Sequence, residues 1–229
     1  MTSYPIAVED YVKAIYAHTE WQPTPMSSTA LAAYLGLAAS SVTEMVKKLG
    51  ALGLVDHVPY GAVTLTANGE ALALRMLRRH RLIETWLVGQ FGYSWDEVHD
   101  EAEVLEHALS DRLLDAIDAQ LGFPSRDPHG DPIPSVDGIV TRPAGVLLRD
   151  VEPGFSGAVV RISDRDPSLL RHLEASGLVI DRLVTVVGRA PFGGGFAVTL
   201  GDSADSLDLG EQALTSIWIE APLAGAPSA

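Results

Sequence analysis

The 229-residue chain has no cysteine, which at once excludes disulfides, thiolate zinc sites and cysteine nucleophiles. It has no apolar run near the ~18–20 residues that a membrane-spanning helix requires. Its opening residues, Met1 to Asp10, lack the basic region and apolar stretch of a secretory signal, so the expected compartment is the cytoplasm and no membrane partner is expected. Positive charge is scarce as well. Sixteen Lys and Arg face 30 Asp and Glu, a formal net charge of −14. A surface of that sign repels phosphate, which counts against nucleic acid as a partner for the chain taken whole.

The distribution of the charge removes that objection. Residues 1–90 hold seven basic and seven acidic side chains, whereas residues 91–140 hold two basic and twelve acidic ones. The remainder, 141–229, holds seven basic and eleven acidic. The acid excess is concentrated in a middle block, and the first third is electrostatically free to approach DNA.

That first third reads as short helices closed by a hairpin. Val8, Tyr11, Val12, Ile15 and Tyr16 recur at helical spacing and predict a helix over about 7–20, broken by Pro23 and Pro25. Ser27 or Ser28 caps a second helix, Thr29 to Leu35, and Gly36-Leu37-Ala38 forms a tight turn. A third helix, capped by Ser40 or Ser41, carries Val42, Val46, Leu49 and Leu52 inward and stops at Gly53. Leu54–His57 and Ala62–Thr66 alternate like strands around Pro59-Tyr60-Gly61. Helix, turn, helix, hairpin is the layout of a winged helix-turn-helix. On its third helix Ser40, Ser41, Thr43 and Glu44 stand where base edges are read, Lys47 and Lys48 suit phosphates, and Tyr60 tips the wing.

Residues 67–91 predict a long helix with a basic stripe of Arg75, Arg78, Arg79 and Arg81, and an acidic helix follows over about 95–121. Its apolar face, with Trp95, Leu105, Leu109, Leu113 and Leu114, offers dimer contacts. A Pro/Gly/Asp-rich stretch, 122–138, leads to β-like runs at 157–162, 183–187, 196–200 and 214–219 with a short helix near 167–176. That spacing suits a small antiparallel barrel, with Gly193-Gly194-Gly195 as a hairpin turn. The fold class is mainly α with a small β domain. It divides into a winged helix-turn-helix (1–72), a helical domain (73–140) and a small β-barrel (145–222).

Within the acidic block His99, Glu103, Glu106 and His107 fall at i, i+4, i+7 and i+8, one face of a helix, and the preceding helix adds His80 and Glu84 at i, i+4. Two carboxylates and two imidazoles against a core are costly unless a cation compensates them. Oxygen and imidazole donors without sulfur suit Mn(II), Fe(II), Co(II) or Zn(II). A solvated acidic helix is the alternative, since Asp100, Glu101 and Asp111 lie nearby. His-Glu-x-x-His, Glu-x-x-His, a P-loop, a nucleophile elbow and a dinucleotide fingerprint are all missing, so an enzyme is not expected.

Val98-His99-Asp100-Glu101-Ala102-Glu103-Val104-Leu105-Glu106-His107 with Leu109-Ser110-Asp111 resembles the metal-binding helix of the diphtheria toxin repressor family. Arg79-His80-Arg81-Leu82-Ile83-Glu84 and Gly130-Asp131-Pro132-Ile133-Pro134 resemble it too, and the likeness covers nearly the whole chain. The resemblance implies a metal-dependent repressor that binds double-stranded operator DNA as a homodimer and controls metal-ion homeostasis genes. Iron-responsive members carry Met at the position of Asp10 and Cys at that of Glu103. Carboxylates at both positions match the manganese-responsive members, and hard oxygen in place of sulfur favours Mn(II). The resemblance places the primary site on Asp10, Glu103, Glu106 and His107, with His80 as a neighbour. Where Lys13 stands, the smaller manganese regulators carry an acidic residue, so their closely spaced two-ion arrangement is not expected. A separate second site is expected around Glu84 and His99, with Asp127, His129 and Asp164 or Asp166. An iron(II)-dependent repressor, a metalloenzyme on the same carboxylates and a metal-independent winged-helix regulator are the competing readings.

Overall fold

The structure is a computed structural model that describes residues 4–22, 24–57, 61–189, 194–203 and 205–221. Two compact units are present. The first comprises residues 1–80, 106–108 and 134–140; the second comprises 81–105, 109–133 and 141–229.

In the first unit α1 (Ile6–Glu20) presents Val8, Tyr11, Val12, Ile15 and Tyr16 to a core that it shares with α2 (Ser28–Leu35) and α3 (Ala39–Ala51). The Ser27 side chain accepts a hydrogen bond from the Ala30 amide and caps α2. Gly36 ends that helix at φ 65°, a left-handed conformation that suits glycine at a helix terminus. Two expectations for α3 need correction. Its N-cap is Ala38, without a side-chain cap, so Ser40 and Ser41 lie within the first turn. Leu52 is exposed, and only Val42, Val46 and Leu49 form the buried stripe of α3. The wing pairs β3 (Ala62–Leu65) with both β2 (Val55–His57) and β1 (Met26–Ser27) in a three-stranded antiparallel sheet. Tyr60, expected to tip the wing, and the residues after 221 lie outside the described residues.

α4 (Ala67–Phe91) contributes its residues up to His80 to the first unit and those from Arg81 onward to the second. The expected basic stripe is instead a set of internal ties. Arg75 reaches Glu9, Arg78 donates to the Pro134 carbonyl, and Arg79 and Arg81 are buried. The expected helix 95–121 is two helices, α5 (Val98–Leu105) and α6 (Asp111–Gln120). Ser110 caps α6 by accepting from the Leu113 amide, and Arg79 Nε donates to the Glu106 carbonyl at 2.6 Å, both of which favour a break. Leu114 is core, Leu105 and Leu109 pack beside Leu82, Ile83 and Val98, and Trp95 packs against the β-domain core. Leu113 alone among the expected dimer contacts is exposed.

The β domain in the second unit is a six-stranded antiparallel sheet of order β4-β9-β5-β6-β7-β8. Its strands are β4 (Gly145–Leu147), β5 (Ser156–Ile162), β6 (Leu183–Arg189), β7 (Phe196–Leu200), β8 (Ser206–Leu209) and β9 (Ile217–Glu220). Register shifts between Val159 and Arg161 and between Val186 and Gly188 bend β5 and β6 around a core of Val159, Ile162, Val184, Val186, Val198 and Ile219. α7 (Pro167–Ala175) covers that core with Leu170 and Leu173. The run expected as a strand from Leu214 begins instead as a short helix, α8 (Glu211–Leu214).

Candidate metal centres

In the first unit, α1 supplies Asp10, and the turn after α5 supplies Glu106 and His107. One donor atom from each of these three residues lies within 4.8 Å of the other two. His107 Nε2 stands 2.9 Å from Asp10 Oδ1 and 3.3 Å from Glu106 Oε1. Its other nitrogen, Nδ1, lies 3.1 Å from Glu9 Oε2, and Arg75 holds the second oxygen of Glu9 at 3.5 Å. A carboxylate on one nitrogen of an imidazole fixes ring orientation and tautomer, a posture that suits the other nitrogen, Nε2, to metal ligation. Sequence reasoning missed Glu9. Nothing in its spacing marks it, because its partner lies 98 residues away.

Glu106 is fully buried and carries two further partners. Lys13 Nζ donates to Oε1 and His80 Nδ1 to Oε2, each at 2.6 Å. Burial pushes its carboxyl upward, but His80 and Lys13 outweigh burial and hold it below the usual glutamate range. The group is therefore an ionised carboxylate whose charge is balanced by protein cations. Two hard oxygen donors and one imidazole, with no sulfur, fit a Mn(II)-class ion. Glu103, whose Oε1 lies 3.6 Å from His99 Nε2, is not among these three residues.

The second unit contains two further donor groups, and Glu84 belongs to both. His99 Nδ1 lies 3.4 Å from Glu84 Oε1 and 3.5 Å from Asp164 Oδ2. Burial alone would raise the Asp164 carboxyl, but His129 and His99 hold it below its ordinary value. Asp127 and His129 join Glu84 in the other group, and all three are buried. Asp166 is elsewhere: its side chain caps α7 by accepting from the Ser168 and Leu169 amides.

The side chains expected to meet DNA share one exposed face of α3. Ser40, Ser41, Thr43, Glu44, Lys47 and Lys48 are all exposed, whereas Val42 and Val46 between them are buried. Thr43 Oγ1 donates to the Ala39 carbonyl, and Lys47 pairs with Glu44 at 2.8 Å.

A profile described as "Iron dependent repressor, N-terminal DNA binding domain" matches residues 6–63, and one described as "Iron dependent repressor, metal binding and dimerisation domain" matches 66–135. A FeoA domain profile matches 146–221. The iron-dependent repressor IdeR of Mycobacterium tuberculosis is 30% identical over 204 residues, covering 84% of this chain and 87% of that protein. The chain belongs to the diphtheria toxin repressor family. Its members are metal-dependent DNA-binding repressors rather than enzymes. A solved manganese-dependent transcriptional repressor in complex with manganese is 50% identical to this chain. It superposes with a TM-score of 0.88, covering 93% of this chain and 99% of that one. ScaR with bound Cd2+ is 30% identical with a TM-score of 0.80, covering 93% and 98% respectively. Among the described residues no single helix is long and apolar enough to cross a membrane.

Proposed function

We propose that this chain is a manganese-activated repressor that binds operator DNA as a homodimer in the cytoplasm and controls metal-ion homeostasis genes. On this reading residues 1–72 bind DNA, 73–140 hold metal and dimerise, and 145–222 form an appended β domain. The observation that carries it is the meeting of Asp10, from α1, with Glu106 and His107 within coordination reach. Likeness to a manganese-dependent repressor at 50% identity supports Mn(II) over Fe(II), Co(II) and Zn(II), as does the all-oxygen-and-nitrogen donor set.

Bound there, the ion supplies two positive charges that turn repulsion between Asp10 and Glu106 into attraction. Asp10 then anchors α1 to residues 106–107. Because α1 and α3 share one core, through Val8, Val12 and Ile15 on one side and Val42, Val46 and Leu49 on the other, anchoring α1 restrains the recognition helix. In a two-fold dimer such restraint favours recognition helices about one DNA turn, ~34 Å, apart. Metal and DNA must then raise one another's affinity by the same factor. Ser40, Ser41, Thr43 and Glu44 meet base edges, Lys47 and Lys48 meet phosphates, and Tyr60 adds a DNA contact. Glu84, His99 and Asp164 hold a second ion.

The test is retention of genomic DNA fragments on the immobilised protein. Fragments held with Mn(II), released by chelator and held less well with anaerobic Fe(II) support the reading. Better retention with Fe(II) replaces it with the iron-dependent alternative, and retention unchanged by chelator removes metal from the mechanism.

A further inference from the structure

The recognition helix carries a single acidic side chain. Along α3 Glu44 is the only Asp or Glu, and Lys47 and Lys48 are the cations. Its side chain is 73% exposed, because Val42 and Val46 on either side of it turn into the core and fix the outward face. DNA is a polyanion, and a carboxylate brought against it is repelled by phosphate unless a cation offsets the charge. Lys47 supplies that cation: its Nζ donates to Glu44 Oε1 at 2.8 Å, one turn along the same face. An ammonium has three N–H groups, so two remain for phosphate while one holds the carboxylate.

The hydrogen-bonding character of this face narrows what it can read. Thr43 Oγ1 gives its proton to the Ala39 carbonyl at 2.8 Å, which leaves the hydroxyl only lone pairs to offer. Lys47 engages Oε1 of Glu44, and the carboxylate has further lone pairs on Oε2. Both side chains therefore call for donors on the DNA. The base edges in the major groove hold two, cytosine N4 and adenine N6. Adenine N6 lies between two acceptors, its own N7 and O4 of the paired thymine, and both repel a carboxylate. An amide suits adenine instead, because it supplies a donor for N7 and an acceptor for N6 together. Cytosine N4 has an acceptor on one side only, guanine O6. A carboxylate is complementary to cytosine and mismatched to adenine.

We propose that Glu44 reads one cytosine in each operator half-site by accepting a hydrogen bond from its N4 amino group. The inference rests on the repressor reading, which brings α3 into the major groove, and adds the base that the helix selects there. Ser40 and Ser41 can each donate or accept, so they discriminate less. Glu44 is the one side chain of the set whose sign is fixed. Replacing the matched base pair at such a position lowers affinity by about 5- to 150-fold.

The experiment is selection of random-sequence duplexes on the full-length protein with Mn(II), followed by sequencing of the bound pools for wild type, Glu44→Gln and Glu44→Ala. The exposed position of Glu44 means that all three should melt alike. Wild type is expected to enrich cytosine at one position of each half-site. Glu44→Gln is expected to enrich adenine there and the wild-type bases elsewhere, and Glu44→Ala to show no preference at that position alone. On the selected duplex, N4-methylcytosine at that position keeps base pairing and replaces the hydrogen that faces the groove. It is expected to weaken wild type by about 5- to 150-fold and Glu44→Ala by less than about twofold. Identical base preferences in wild type and both variants overturn the proposal, and so does adenine at the position that depends on Glu44. Repeating the selection with chelator separates the two claims. Sequences enriched without metal remove metal activation and leave the cytosine test standing. Pools that stay random under both conditions remove DNA readout, and this proposal with it.

Discussion

Glu9 makes no proposed bond to metal, yet its removal is expected to weaken the primary site. Its Oε2 accepts from His107 Nδ1 at 3.1 Å, while Arg75 steadies the other oxygen. Replacing it by alanine frees the imidazole to rotate and to carry its proton on Nε2, the nitrogen that faces Asp10 and Glu106. Losing such a partner costs 10- to 100-fold in metal affinity, about 1.4–2.7 kcal/mol. Glu9→Gln retains an acceptor and is expected to lose less than about tenfold. Calorimetric titration of metal-free protein with Mn(II) measures both. Because metal and DNA affinities are linked, the Mn(II) concentration for half-maximal DNA binding should rise by the same factor. Affinity for Glu9→Ala within twofold of wild type refutes the reasoning, for His107 is then oriented by something other than Glu9.

Lys13→Met removes the ammonium that occupies Glu106 Oε1. Mn(II) is then expected to bind about tenfold more tightly and the metal-free protein to melt at lower temperature, since a buried carboxylate loses a partner; titration and thermal melts read both. Replacing Lys47 and Lys48 by alanine should flatten the plot of log affinity for DNA against log salt by about one unit per lysine, and an unchanged slope moves the phosphate contacts off α3. Gly130→Ala places a Cβ against the Val160 carbonyl, at a φ of 89°, and is expected to lower the melting temperature by an amount corresponding to about 1–3 kcal/mol or more. A melting temperature equal to wild type contradicts that close approach.

How much of this was legible in the sequence varies with the range of the interaction. α1, α2 and the wing follow from local rules: apolar spacing of 3.6 residues, Ser27 as a cap, alternation in Ala62–Leu65. The carboxylates and imidazoles near 99–107 were legible as a cluster, but their grouping was not. A continuous helix would align His99, Glu103, Glu106 and His107, whereas the break after Leu105 sends the last two to Asp10 and leaves the first two with each other. Ser110 was the local signal for that break. Lys13 on Glu106 and Glu9 on His107 are pairs 93 and 98 residues apart, and no periodicity announces them. Arg79 and Arg81 illustrate the same limit, since as a stripe they suggest a basic surface and in the fold they are buried ties. The short strands β4 and β8 escaped notice because three or four residues carry little alternation.

The central claim is that one cation joins the first helix to residues 106–107. Diffraction from crystals grown with Mn(II), recorded at the manganese absorption edge, tests it most directly. The expected result is an anomalous peak bonded to Asp10, Glu106 and His107 together, with Lys13 withdrawn from Glu106. A structure with Asp10 turned to water and the manganese held elsewhere, or not at all, contradicts it.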